Sequence, residues 1–279
     1  MSIKTKEKHR AFDGVQGVYT HSSSTVSGEM EFSVFVPPHE KGTKLPVLYY
    51  LSGLTCTQDN VTSKGGFQRV ASELGLVIVC PDTSPRGTNY EGEDDDYDFG
   101  AGAGFYVDAT EEPWSATYKM YSYVVEELPA LIARYFPIDP RRAGIFGHSM
   151  GGHGALTIGL QHPDQFKSIS AFAPICAPSK VPWGQKAFAG YLGDKEADWQ
   201  QYDAEALIRA GHKIKSKILI DQGCDDPFLR SQLHPDLFER ACASHGQALN
   251  LRLQKGYDHS YYFISTFMEH HLRHHDALL

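Results

Sequence analysis

The sequence predicts an α/β fold, with a mostly parallel central sheet and helices on both faces. Short, almost wholly apolar runs bounded by Gly or Pro recur along the chain, as strands buried on both faces require. Helical patterns lie between them, and strand alternating with helix is the signature of a three-layer sheet. The 279 residues contain no internal repeat and no low-complexity linker, so one domain spanning 1–279 is expected.

The first expected strand is residues 30–36, which alternate polar and apolar and stop at Pro37 and Pro38. Apolar strands follow at 46–51, 76–80, 143–146, 168–172 and 217–220, and a more alternating one at 249–254. Residues 67–74 carry a helical pattern ahead of the second apolar run, and 118–136 do so ahead of the third. A helix through 155–160 follows a glycine-rich turn, residues 233–245 precede the last strand, and 261–273 close the pattern.

Composition excludes several classes of function. A net charge of −8 with no basic run argues against nucleic acid or an anionic membrane as partner. The first ten residues are polar and charged, unlike a secretory signal, and no apolar run approaches the roughly 18 residues of a membrane span. Five widely spaced cysteines, never as C-x-x-C, read as free thiols, so a cytoplasmic location is expected. No metal or cofactor is expected. The histidines at 270, 271, 274 and 275 include two i,i+4 pairs but no fixed carboxylate or thiolate partner, and read as a solvated helix end. The acidic run 91–98 fails the calcium-loop pattern, with Phe99 and Phe105 where glycine and glutamate belong.

The chemistry-bearing stretch is GHSMG at 147–151, between an apolar strand and a helix. Serine between two glycines can occupy a sharp strand-to-helix turn, which lifts its hydroxyl out of the sheet and sets it against unpaired helix N–H groups. A tight turn with a solvated serine would explain the glycines but not the residues found at the ends of the other strands. After Leu51 comes the small-residue loop SGLTC, whose backbone can supply a second oxyanion donor, so the N–H groups of Leu54 and Met150 are the candidates. After Ile220 come Asp221, Asp225 and Asp226, any of which could orient a histidine, and composition does not separate Asp225 from Asp226. After the last strand comes His259 on a glycine-started loop. Serine, aspartate and histidine, each just past a strand and in that order, form the α/β-hydrolase arrangement. His148 adjoins Ser149, but successive side chains diverge at such a turn, so His259 is the expected base.

Six segments together resemble the S-formylglutathione hydrolase (esterase D) family: LSGLTCT at 51–57, GAGFYVDAT at 102–110, GHSMGGHG at 147–154, PWGQKAF at 182–188 with YLG at 191–193, DQGCDDPFL at 221–229 and GYDHSYYF at 256–263. They run from the first third of the chain to its C-terminus. The resemblance implies Ser149 as nucleophile, His259 as base and Asp226 as its partner, because the family pattern places the acid two residues before Phe228. It matches Leu54 and Met150 to the oxyanion positions. It also implies cleavage of a small-molecule thioester to glutathione and formate in formaldehyde detoxification, side activity on small esters, and a homodimer. One departure is Ala177, where the family pattern carries asparagine. Trp183 is expected to narrow the acyl site for a formyl group, and a bulky adduct on Cys56, two residues beyond the oxyanion donor, to block it. A general short-chain carboxylesterase and an acyltransferase on the same scaffold are the alternatives, and a non-catalytic binding module is a third.

Overall fold

In a computed structural model describing residues 2–279, the chain forms a nine-stranded sheet in the order β1-β2-β3-β5-β4-β6-β7-β8-β9. The strands are β1 (Ile3–Ala11), β2 (Gly14–Ser23), β3 (Gly28–Val36), β4 (Leu45–Leu51), β5 (Val77–Pro81), β6 (Ile138–His148), β7 (Phe166–Phe172), β8 (Ile218–Gly223) and β9 (Leu249–Gln254). From β5 to β9 every neighbouring pair is parallel, whereas β1, β2 and β3 pair antiparallel at one side. The mostly parallel α/β-hydrolase sheet expected from the sequence is therefore present, and each expected strand and helix overlaps an observed one.

The hairpin of β1 and β2 was not expected. β1 is exposed along nearly its whole length and pairs only with β2, so its residues IKTKEKHRA carry no buried face for a hydrophobic pattern to mark. Lysine-rich edges of this kind also discourage pairing with another chain.

Helices cover both faces, as two adjacent residues of β6 demonstrate. A side-chain carbon on Gly144 would come within 2.8 Å of His275, on the helix Tyr261–Asp276. The Ile145 side chain instead reaches Gly159, on the helix Met150–Gln161, 3.2 Å from where a carbon there would lie. Successive strand residues point to opposite faces, so the two helices sandwich the sheet. Parallel pairing brings the carboxyl ends of β4, β6, β8 and β9 to one edge, where ligands bind in open α/β sheets. The loops that leave those ends carry Leu54, Cys56, Asp225, Asp226 and His259, and Ser149 stands at the end of β6.

The C-terminal histidines correct an expectation. His271 and His275 are fully buried, not solvated. His271 lies 3.0 Å from Asp221 through Nε2 and 2.8 Å from the Ser170 hydroxyl through Nδ1. His275 meets Ser170 at 2.8 Å through Nε2 and Ser168 at 2.6 Å through Nδ1. Two neutral imidazoles, each with one donor and one acceptor, satisfy this row completely: His275 donates to Ser170, Ser170 to His271, and His271 to Asp221, while Ser168 donates to His275. Burial holds His271 at a pKa of about 4 despite the carboxylate beside it, and pushes His275 well below the usual value. Of the other two, His270 is exposed and His274 half-buried.

Candidate active site

Ser149 stands between β6 and the helix Met150–Gln161 with φ 57° and ψ −117°, a conformation that L-residues hold only when their surroundings impose it. The flanking glycines show what imposes it. A side-chain carbon on Gly151 would lie 1.9 Å from the Leu51 carbonyl oxygen, and one on Gly147 2.3 Å from the Gly151 carbonyl oxygen. The end of β4 thus presses directly on the elbow, and only glycine lets the chain pass. The turn is held by the Ser149 N–H, which donates to the Phe172 carbonyl at 3.0 Å, and by His153 and Ile175 N–H groups donating to the Ser149 carbonyl. Buried His153 also bonds the Phe105 carbonyl through Nε2 at 2.9 Å, and burial takes its pKa to about 4, so it is a neutral brace.

The structure brings Ser149, His259 and Asp226 into one hydrogen-bonded row. Ser149 Oγ lies 2.9 Å from His259 Nε2, and His259 Nδ1 lies 2.6 Å from Asp226 Oδ2. The Phe228 N–H donates to the other carboxylate oxygen at 2.8 Å, and Gln222 donates to Oδ2 at 3.1 Å. The three aspartates have separate fates. Asp221 accepts from Arg252 Nε at 2.8 Å and Gln254 at 2.7 Å as well as meeting His271. Burial would raise its pKa, but these partners hold it down at about 2. Asp225 is exposed, whereas Asp226 is buried.

The loops carrying Asp226 and His259 are joined to one another. Cys224 N–H donates to the Gln254 carbonyl at 2.9 Å, and Asp225 N–H donates to the Tyr257 carbonyl at 3.0 Å. A carbon on Gly223 would meet the Tyr257 carbonyl at 2.3 Å, so a bare backbone is needed for that approach.

Around the row lies a cavity of about 290 Å³, lined among others by Leu54, Cys56, Tyr97, His148, Trp183, Phe228 and Tyr261. A larger cavity of about 610 Å³, beside Glu31, Asp82 and Arg86, contains none of the three row residues. Trp183 is fixed by its ring N–H donating to the Tyr97 hydroxyl at 3.0 Å, by its backbone N–H donating to Gln232, and by Phe228, whose ring centroid is 4.7 Å away. Ala177 is fully buried, and its carbonyl accepts from the Lys180 N–H at 3.0 Å. Cys56 borders the cavity, and burial pushes its thiol pKa up, which lowers its fraction of reactive thiolate.

Tyr97, Phe228 and Tyr261 are pocket residues that sequence reasoning did not single out. Tyr97 was hidden in the acidic run, whose Asp96 and Asp98 turn out to hold Lys186 at 2.8 and 2.5 Å. The signal for it was an aromatic residue inside a charged loop. Leu54 follows Gly53, where an added carbon would meet Ser149 Cβ at 3.2 Å, so its loop lies against the elbow. Met150 opens its helix, and a first-turn N–H has no intrahelical acceptor. Among the described residues no helix is long and apolar enough to cross a membrane.

The Esterase family model matches residues 23–274. A Mus musculus protein named S-formylglutathione hydrolase is 56% identical over 280 residues, covering 100% of this chain and 99% of its own. One of the same name from Arabidopsis thaliana is 54% identical, covering 97% of this chain and 95% of its own. Among solved structures, an S-formylglutathione hydrolase from Agrobacterium tumefaciens superposes with a TM-score of 0.95 at 54% identity, covering 99% of both chains.

Proposed function

The chain belongs to the Esterase family, among the S-formylglutathione hydrolases, and from that premise we infer that it cleaves the thioester of S-formylglutathione to glutathione and formate. Small carboxylic esters are its side substrates. The observation that carries the mechanism is the row of Ser149, His259 and Asp226, closed at 2.9 and 2.6 Å. Ser149 donates its proton to His259 as its oxygen attacks the formyl carbon, and Asp226 fixes the imidazole tautomer and stabilises the imidazolium. The Leu54 and Met150 N–H groups receive the oxyanion, an interaction worth about 3 kcal/mol per donor in comparable sites. Glutathione leaves with the proton that His259 took, which restores the neutral imidazole, and water activated by His259 then releases formate. A formyl group needs almost no room, and Trp183, braced by Tyr97 and Phe228, keeps the acyl site small.

Five free cysteines suit a reducing cytoplasm, and the family resemblance suggests a homodimer, which sedimentation would test. The central experiment compares kcat/KM for S-formylglutathione, S-acetylglutathione and an aryl acetate. We expect the formyl thioester to lead by about tenfold or more, a margin within reach of pocket shape alone. Equal values for all three would instead indicate a general carboxylesterase, and ester products formed with added alcohols would indicate acyl transfer. Ser149→Ala should lower turnover by at least about a thousandfold, and a variant keeping a tenth of the activity would remove the nucleophile assignment.

A further inference from the structure

His148 lines the cavity, yet the chemistry of Ser149, His259 and Asp226 gives it no role. It is only 6% exposed, and among the described residues neither of its ring nitrogens has a hydrogen-bond partner. Buried polar atoms are rarely left so, because the lost hydration goes uncompensated. The other buried histidines beneath this edge, His153, His271 and His275, each bond through at least one nitrogen. The unpaired nitrogens of His148 therefore point to something that comes and goes with the reaction.

Its surroundings narrow the choice. The His148 ring lies 4.4 Å from the His259 ring, centroid to centroid, and 6.3 Å from that of Tyr261. A side-chain carbon on Gly53 would meet His148 Nδ1 at 3.3 Å and Ser149 Cβ at 3.2 Å. Gly53 thus packs closely against both His148 Nδ1 and the base of the Ser149 side chain, which sets the His148 ring beside the nucleophile. Burial, and then the neighbouring His259, hold His148 well below the usual histidine pKa. It stays neutral, with one nitrogen free to accept a hydrogen bond.

Deacylation makes a demand that acylation does not. The attacking water must direct one O–H at His259 Nε2, and its second O–H needs an acceptor in a cavity walled mainly by Leu54, Trp183, Phe228 and other apolar groups. We propose that His148 accepts that second O–H and so positions the hydrolytic water over the Ser149 ester. In this step the water oxygen bonds the acyl carbon and one water proton passes to His259. The bond from the acyl carbon to Ser149 Oγ breaks as His259 returns the proton to Oγ, and the acid departs with the remaining hydrogen. His148 gains and loses no proton. This role rests on the serine-hydrolase reading and deepens it.

The test separates the two half-reactions with p-nitrophenyl acetate. Release of p-nitrophenol on rapid mixing gives the acylation rate, and the decay of acetyl-enzyme by intact mass gives deacylation. In His148→Phe, decay should slow about tenfold while acylation falls less than about threefold, as loss of one positioning hydrogen bond predicts. His148→Gln, which retains an acceptor, should recover much of the lost deacylation. The acylation phase itself reports that each variant is folded. Unchanged decay, equal losses in both steps, or a Gln variant no better than Phe would overturn the proposal. If the wild-type protein releases no p-nitrophenol and a phosphonate ester does not label Ser149, the serine-hydrolase reading fails, and the role of His148 with it.

Discussion

Asp226 and Asp225 are chemically identical neighbours with opposite environments. One is buried with its carboxylate 2.6 Å from His259, and the other faces water. Asp226→Asn leaves the shape intact but removes the acceptor that selects the His259 tautomer, so kcat should fall by about 10³–10⁴. Asp225→Asn should stay within about twofold, and steady-state kinetics on the pair would expose a misassigned acid if the order were reversed. Here the local residue pattern was insufficient, and the family resemblance was what pointed to Asp226. Which of two adjacent carboxylates turns inward depends on how the chain leaves β8, and composition holds no record of that. Ser149 was legible because the elbow demands glycine on both sides, and His259 because its place after the last strand fits the chain order. His271 and His275 were misread because a neutral, buried imidazole and a hydrated one are the same letter, and the serines that satisfy them lie on a distant strand.

Among the elements, the junction of β4, β6 and the helix Met150–Gln161 tolerates the least change. A methyl on Gly151 would have to enter the Leu51 carbonyl oxygen, a backbone atom that cannot rotate away. Gly151→Ala should therefore cost at least about 3 kcal/mol, through overpacking that the sheet cannot relieve, and yield little soluble protein. Soluble, fully active Gly151→Ala enzyme would contradict the close approach. Element by element, the buried strands β4 to β8 were readable because helices on both faces force continuous apolar runs. The hairpin of β1 and β2 was not, since an exposed edge strand needs only backbone pairing. The helix Pro182–Leu192 escaped notice behind its glycines and the proline at its first position, although proline there is ordinary helix chemistry.

Across the whole molecule, the buried row from Asp221 to Ser168 ties the C-terminal helix to β7 and β8 and makes stability depend on acidity. His271 has a folded pKa of about 4 against 6.5 for the free side chain. The unfolded chain therefore binds the additional proton first as pH falls. Stability from this group is fully present above about pH 6.5 and declines as pH drops towards 4, and His275, shifted in the same direction, adds to the decline. The melting temperature should fall by on the order of 5–10 °C between pH 7 and 5, and His271→Gln, itself less stable at pH 7, should show a shallower slope. A wild-type melting temperature independent of pH over that range would show that the row is not neutral when folded. The row of Ser149, His259 and Asp226, at the carboxyl edge of the sheet, has a consequence in time. During synthesis, the elbow can form once β4, β6 and β7 have paired, but His259, the proposed base, lies 110 residues beyond Ser149 along the chain. A nascent polypeptide thus carries an inert hydroxyl until β9 and the loop behind it have emerged and docked. On the proposed mechanism, thioester cleavage therefore begins only when the molecule is folded.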